Sequence, residues 1–156
     1  MKAVRIVCLL LVCMWALPLF AQDQPTDSSM DKVRDALKAN KRAFVSVNLG
    51  LTEQEDKNFW PVYDSYQADM EKVNKRLVDL IKDYAAHYDN LSDEKAKQLL
   101  DESLAIDTEM MKVKKAYVSK FAAVIPMKKV ARYYQMENKI QAVLRFDLAQ
   151  AIPLVK

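Results

Sequence analysis

A regular spacing of apolar residues constrains this chain more than any other feature of its sequence. Nine positions alternate four and three residues apart, and they are Phe59, Tyr63, Tyr66, Met70, Val73, Leu77, Leu80, Tyr84 and His87. A mean spacing of about 3.5 residues is typical of a helix that packs lengthwise against another helix, as in a coiled coil. A helix from Glu53 to about Asp89 would be ~55 Å long. The sequence therefore predicts an elongated helical hairpin or a dimer.

Composition excludes several functional classes. The chain has 156 residues and a single glycine, Gly50. Phosphate-binding loops and most β-hairpin turns need residues that tolerate positive φ, so nucleotide sites and sheet-rich folds are disfavoured. The only histidine, His87, belongs to the helical repeat, where we expect it to be packed rather than to bind a metal ion. We predict an all-α protein that is not an enzyme and needs no cofactor or metal.

Residues 1–21 have the pattern of an export signal. Lys2 and Arg5 precede an apolar run, and Ala21 provides a small residue at a plausible cleavage point. The apolar run is shorter than the roughly 20 residues that span a bilayer, so we expect no stable membrane insertion. Both cysteines, Cys8 and Cys13, lie in this leader. The predicted mature domain, residues 22–156, must be stabilised without disulfides, by helix packing, dimerisation or both.

Capping signals divide the mature chain into four predicted helices. The first begins at Ser28 or Ser29 and ends at Gly50, and its apolar stripe consists of Val33, Leu37, Phe44 and Val47. Thr52 and Glu55 form a capping box that starts the second helix, in which Pro61 predicts a kink. Ser92 caps the third helix, whose two adjacent apolar stripes indicate two packing partners. The fourth runs from about Met127, after Pro126, to Ala151.

Charge is divided into two blocks along the mature chain. Residues 22–111 have a net charge of −7, from 12 basic and 19 acidic side chains, whereas residues 112–156 have +8, from 10 basic and 2 acidic ones. A basic surface could attract acidic segments of another protein over long range, although such a run is more often a solvated helix face. Nucleic acid is a remote partner for an exported chain. The basic candidates for partner binding are Lys112, Lys115, Lys120, Lys128, Lys129 and Arg132.

Three apolar residues complete the candidate binding surface. Met111 and Met136 are methionines on long helices that we expect at the surface, and Phe146 lies off the main stripe of its helix. Flexible or aromatic side chains at these places could contact varied partners. Met70 and Met110, by contrast, are better explained as core residues.

Two helix starts resemble a known sequence motif. The segments Leu51-Thr52-Glu53-Gln54-Glu55 and Leu91-Ser92-Asp93-Glu94-Lys95 are similar to the LTxxQ motif of the Spy/CpxP family, although Glu55 and Lys95 replace its glutamine and Ser92 its threonine. The tail from Lys129 to Lys139 is also similar to that family. In this resemblance Leu51, Thr52, Glu55, Leu91 and Ser92 are the motif and capping residues.

The resemblance implies a periplasmic protein that acts in envelope stress. Its expected form is an antiparallel homodimer shaped like a shallow cradle, which holds unfolded or partly folded proteins without ATP. The alternative is an adaptor or regulator that is not an enzyme and docks on one acidic partner or on an anionic envelope surface.

Overall fold

The structure, a computed structural model, describes residues 41–156, and these form four α-helices. Helix α1 spans Lys41–Leu49, α2 spans Glu53–His87, α3 spans Asp93–Ala122 and α4 spans Met127–Ala151. A single 3₁₀ turn, Tyr88–Asn90, follows α2, and the described residues contain no β-strand. The predicted all-α class with four helices is confirmed. The export signal and the predicted start of the first helix at Ser28 or Ser29 lie outside the described residues.

Side-chain caps set the helix boundaries where the sequence predicts them. The Thr52 hydroxyl accepts a hydrogen bond from the Glu55 amide at 3.3 Å, and the Glu55 carboxylate accepts one from the Thr52 amide at 2.8 Å. This is the capping box expected for α2. The Ser92 hydroxyl accepts from the Lys95 amide at 3.2 Å and so caps α3. Gly50 has a φ of 62°, which a residue without a side chain adopts at low cost after α1.

Helix α2 continues through Pro61 without interruption. The ring removes the hydrogen bond to the carbonyl of Lys57, but both residues face solvent, where water can satisfy that carbonyl. The Ser65 hydroxyl donates to the Pro61 carbonyl at 2.9 Å. Pro61 therefore lies inside one long helix, and the bend of α2 at this residue stays a prediction.

The four helices alternate in direction. On α1, Lys41 binds Gln67 of α2 at 2.9 Å and Glu137 of α4 at 2.8 Å, whereas Gly50, just after α1, accepts a hydrogen bond from Lys129 near the start of α4. Helix α1 is therefore antiparallel to both α2 and α4 and lies alongside the two. Helices α2 and α3 form one antiparallel hairpin, and α3 and α4 form a second.

The core lies at one end of this bundle, which we call the proximal end. It joins the first half of α2, the second half of α3 and the first half of α4 through a cluster of aromatic side chains. Phe121 is fully buried, with its ring centroid 4.8 Å from that of Tyr133 and 5.4 Å from that of Phe59. Burial of large aromatic rings contributes several kcal/mol each, so this cluster dominates the packing energy. Its other rings are Trp60, Tyr63, Tyr66, Tyr117 and Tyr134.

The opposite, distal end is more open. The first five positions of the α2 repeat are buried, whereas Leu77, Leu80 and Tyr84 are only partly buried. The expectation of a packed His87 is wrong: its side chain is 47% exposed, and its Nδ1 lies 3.0 Å from the Asp83 carboxylate. His87 occupies the last turn of α2, where the short connection to α3 follows and no helix within residues 41–156 covers it.

Helix α1 uses a different face from the one expected. Val45 and Leu49 are buried and Phe44 is half buried, but Val47 is 82% exposed. The stripe predicted through Val47 is therefore wrong at that residue. Helix α1 packs against both α2 and α4, and the side of the helix that faces them carries Phe44, Val45 and Leu49. Val47 lies on the side that faces solvent.

A charged residue lies within the core next to the aromatic cluster. Glu137 is 1% exposed, and its carboxylate accepts hydrogen bonds from Lys41 at 2.8 Å and from Gln67 at 3.2 Å. The amide of Gln67 also donates to the Tyr133 hydroxyl at 3.2 Å. Burial, reinforced by the charge of Glu137, raises the pKa of Tyr63 to about 12. The network ties α1, α2 and α4 together through polar contacts that would be costly to leave unpaired.

Removing one partner of this buried ion pair should destabilise the protein. We expect Lys41→Met to lower the free energy of unfolding by about 1–3 kcal/mol, because it leaves the Glu137 charge without its cation; partial exposure of Lys41 limits the loss. The double variant Lys41→Met/Glu137→Gln should recover more than half of that loss. Urea unfolding followed by circular dichroism measures both. Equal stability of Lys41→Met and the unmodified protein would contradict this assignment.

Candidate functional site

An apolar groove lies at the distal end, between the second half of α2, the first half of α3 and the end of α4. Its volume is about 560 Å³, within the range of ~300–1,000 Å³ typical of ligand pockets. We call it the distal groove. The apolar side chains that line it are Leu77, Leu80, Ile81, Tyr84, Leu91, Leu99, Leu100, Leu148, Ile152, Leu154 and Val155.

The last residues of the chain form one wall of the distal groove. The Tyr84 hydroxyl donates to the Pro153 carbonyl at 2.9 Å, and the Lys156 ammonium lies 2.7 Å from the Asp89 carboxylate. These contacts hold the segment after α4 against α2. The side chains of Leu154 and Val155 are nevertheless 88% and 62% exposed. The groove is therefore bounded by apolar groups that still face water.

An exposed apolar stripe on α3 continues from the distal groove toward the middle of the molecule. Leu100, Leu104 and Met111 are 59%, 57% and 52% exposed, and their spacing places them on one face of α3. Leu100, Leu104 and Met111 belong to the second of the two apolar stripes on α3 that the sequence predicts to pack against partners. In the structure these three side chains face solvent. Lys115 follows one turn later on the same face and is also exposed. The structure thus joins apolar and cationic groups in one line, which we call the α3 stripe.

An ion pair rather than a single charge lies in the lining of the distal groove. Arg145 binds Asp107 at 2.8 Å, and these two are the charged residues among those that line it. A second ion pair, between Lys95 and Asp83 at 2.7 Å, joins α3 to α2 outside that lining. The hydrogen bond from Lys95 lowers the pKa of the Asp83 carboxyl. Because the cation in the lining is paired with a carboxylate, the groove has little net charge. Its chemistry suits an uncharged apolar segment better than an anion.

The three apolar residues predicted for partner binding differ in their exposure to solvent. Met111 and Phe146 are each 52% exposed, as the sequence predicts. The surface placement of Met136 is wrong, because that side chain is only 6% exposed and belongs to the core. It follows Tyr133 by three residues and precedes Ile140 by four, and both of those side chains are buried on the inner face of α4. Met70 and Met110 are core residues, as expected.

The basic candidates do not form one patch. Lys112, Lys115, Lys120, Lys128 and Arg132 are exposed along the second half of α3 and the start of α4, toward the proximal end. The Lys120 ammonium lies 3.9 Å from the centre of the Tyr117 ring, and the Lys112 ammonium lies 3.5 Å from the Glu109 carboxylate. Only Lys112 and Lys115 lie near an exposed apolar candidate, Met111.

Lys129 has a structural role instead of a place on the open basic surface. Its ammonium lies 2.5 Å from the Glu55 carboxylate and 2.7 Å from the Gly50 carbonyl, and the side chain is 26% exposed. Glu55 therefore has two roles, in the capping box of α2 and in an ion pair with α4. The motif residues Leu51 and Leu91 are both half buried, and Leu91 also lines the distal groove.

Sequence reasoning missed most of the distal groove and the buried Glu137. The repeat of α2 predicts that the groove residues Leu80 and Tyr84 are packed, because a periodic pattern does not show where the covering helix ends. Glu137 did leave a signal, since it lies four residues after Tyr133 and three before Ile140, at an apolar position of the α4 repeat. A single carboxylate at such a position indicates a buried polar network.

Within residues 41–156, no group of three or more His, Cys, Asp or Glu side chains is placed to hold a metal ion. No helix in the same range is long and apolar enough to cross a membrane.

Comparisons of this chain with protein-family models, with curated proteins and with solved structures gave no match. Its function must therefore be inferred from the distal groove, the α3 stripe and the charges around them.

The ion pair at the first motif predicts a pH-dependent stability. The hydrogen bond from Lys129 lowers the pKa of the Glu55 carboxyl below its ordinary value of 4.5, so folding favours the ionised form. The contribution of the Glu55–Lys129 ion pair to the stability of the fold is present above pH 4.5. It is lost as the pH falls through the lowered pKa of Glu55. Glu55→Gln keeps the capping box but removes the charge. We expect this variant to melt about 2–4 °C lower at pH 7 and to approach the unmodified protein below pH 4.

The matched control for this measurement is Glu53→Gln. Glu53 is an exposed acidic residue in the same first turn of α2 and has no ion pair among the described residues. It should reproduce any general effect of removing negative charge at the helix start. If Glu55→Gln lowers the melting temperature by the same amount from pH 7 to pH 3, that result would contradict a stabilising role of the ion pair.

Proposed function

We propose that this chain is an exported, ATP-independent chaperone that transiently binds unfolded or partly folded proteins. The observation that carries the proposal is the distal groove with its continuation, the α3 stripe. Leu100, Leu104 and Met111 are all more than half exposed, next to a groove of about 560 Å³ lined mainly by apolar side chains. Contiguous exposed apolar surface of this kind is characteristic of sites that bind other macromolecules.

The shape and chemistry of this surface favour many weak partners over one tight ligand. The groove is open along its length, its charged neighbours are paired, and the exposed stripe ends in a flexible methionine. Apolar side chains of an unfolded segment could enter at several registers, because the lining is mainly apolar and its charged members, Arg145 and Asp107, bind each other. Lys112 and Lys115 would attract acidic segments and increase the rate of encounter. Weak, adaptable binding allows a client to be released without ATP.

The resemblance at the two motifs supports the same class. The capping of α2 by Thr52 and of α3 by Ser92 fits helix starts of the LTxxQ type. On this basis we propose that the protein belongs to the Spy/CpxP type, acts in the periplasm after removal of residues 1–21, and forms a homodimer. N-terminal sequencing of the protein from a periplasmic extract tests the removal of residues 1–21, and the mass of the purified protein in solution tests the homodimer.

Aggregation of unfolded proteins provides the direct test of client binding. We expect the protein to suppress light scattering by several unrelated, chemically unfolded clients at roughly equimolar ratios and without nucleotide. The variant Leu100→Glu/Leu104→Glu should lose most of this activity, because it places two charges where apolar client segments would bind. Both residues are exposed, so the fold and its melting temperature should change little.

The control for this experiment is Val47→Glu. Val47 is 82% exposed on α1, at the proximal end, so the substitution adds a charge to exposed apolar surface away from the groove. It should keep full activity. Equal loss in both variants, or no suppression by the unmodified protein, would contradict the proposal.

A second candidate function is an adaptor that docks through its basic surface. The supporting observation is that Lys128, Arg132 and Lys139 are exposed and have no ion pair within residues 41–156. The variant Lys128→Glu/Arg132→Glu distinguishes the two functions. For a chaperone it should slow client capture at low salt but leave suppression largely intact. For an adaptor it should abolish binding to the acidic partner, while Leu100→Glu/Leu104→Glu has no effect.

A further inference from the structure

The segment that follows α4 lines the distal groove without filling it. Leu154 and Val155, which we call the apolar pair, both belong to the lining, yet their side chains are 88% and 62% exposed. A segment that blocked the groove would bury its apolar side chains between the helices, as occupants of apolar pockets do. The apolar pair instead leaves most of its surface to water at the edge of the groove. It therefore offers surface for contact with a chain that enters the groove.

Two polar contacts hold this segment in place, one on each side of the apolar pair. Before the pair, the Pro153 carbonyl accepts a hydrogen bond from the Tyr84 hydroxyl at 2.9 Å. After it, the Lys156 ammonium lies 2.7 Å from the Asp89 carboxylate and 4.7 Å from the centre of the Tyr88 ring. Both anchor points lie on α2 or on the 3₁₀ turn that follows it. The apolar pair is thus suspended beside the groove between two fixed points.

These two anchors are weak enough to let the segment adjust. The side chains of Lys156 and Asp89 are 59% and 80% exposed, and an exposed ion pair contributes little to stability and is screened by salt. A single neutral hydrogen bond also has a small net effect. None of residues 153–156 is buried. The segment can therefore shift toward a bound chain while the helices stay packed.

The size of the distal groove indicates what the apolar pair would contact. A helix with its side chains is about 10–12 Å across, so two turns of helix occupy roughly 1,000 Å³. The groove has a volume of about 560 Å³. It therefore accommodates a few side chains of an extended polypeptide segment, but not two helical turns of a second copy. Because the charged lining residues Arg145 and Asp107 bind each other, the favoured side chains are apolar.

We infer that residues 153–156 are a clasp that closes over an extended apolar segment of a client in the distal groove. Leu154 and Val155 contact the bound segment, and the Tyr84 hydroxyl and the Asp89 carboxylate are positioning groups that hold the clasp at the edge of the groove. The clasp rests on the proposed function and deepens it, because it assigns residues outside the helices to client binding. Its effect is to slow the release of a client that has already entered.

The rate of client release tests the clasp. The probe is dye-labelled lysozyme that has been reduced and carboxymethylated so that it cannot refold, and stopped-flow fluorescence follows its binding to residues 22–156. Leu154→Ser/Val155→Ser, the serine variant, should raise the dissociation rate constant about three- to tenfold, because the bound segment loses one apolar wall. The association rate constant should change less than about twofold, since the clasp closes after encounter. The melting temperature should change little, because both side chains are exposed.

A second variant separates positioning from contact. Tyr84→Phe/Asp89→Asn keeps every apolar group of the groove and removes the two anchors, so it should also speed release. Combined with the serine variant, it should add little to the effect of that variant alone, because the anchors act through the apolar pair. The matched control is Asp64→Asn, which removes a comparably exposed ion pair with Arg42 at the proximal end. It should leave both rate constants unchanged.

The outcomes distinguish the clasp from the proposed function. If the unmodified protein binds the labelled client and both variants release it at the unmodified rate, the clasp is wrong and the proposed function stands. If the unmodified protein does not bind the client, both are wrong. Slower release in either variant would overturn the clasp, because the segment would then compete with the client. A lower mass in solution for the serine variant would also overturn it, because a second copy would then cover the apolar pair. Fully additive effects would contradict the positioning role of the anchors.

Discussion

The packing of Phe121 against Phe59 and Tyr133 is the contact on which the rest of the structure depends. These three rings come from α3, α2 and α4, and each is fully buried. Helix α1 is then fixed beside them by the ion pair of Lys41 with the buried Glu137. Because so much of the large side-chain volume lies at the proximal end, little remains to fill the space between the helices at the other end.

The open distal end follows from this uneven distribution. Helices α2 and α3 extend beyond the aromatic cluster as a hairpin, and α4 covers only part of it. The leucines there keep the spacing of a packed seam but lack a complete set of partners. A protein that only had to be stable would gain by burying them. The structure instead provides a rigid base that holds an exposed apolar surface in place, which is the arrangement that the proposed client binding requires.

Within residues 41–156, sequence alone was sufficient for the helices and for their boundaries, because capping is local chemistry. Thr52, Glu55, Gly50 and Ser92 act where their identities predict. What the sequence could not give is the depth at which each apolar residue lies. Leu100 belongs to a stripe that the sequence predicts to pack and Met136 is predicted to lie at the surface, yet Leu100 is exposed and Met136 is buried, since burial depends on which neighbouring helix reaches that face. His87 and Val47 were misjudged for the same reason, and most of the distal groove was missed with them.

Methyl-group NMR during titration with an unfolded client shows directly whether the distal end binds the client while the proximal end supports the fold. We expect chemical-shift changes at the methyl groups of Leu80, Leu100 and Leu148, with little change at Val45, Ile125 and Val130 in the core. Shifts confined to the neighbourhood of Lys128 and Arg132, or an even change across both ends, would contradict it.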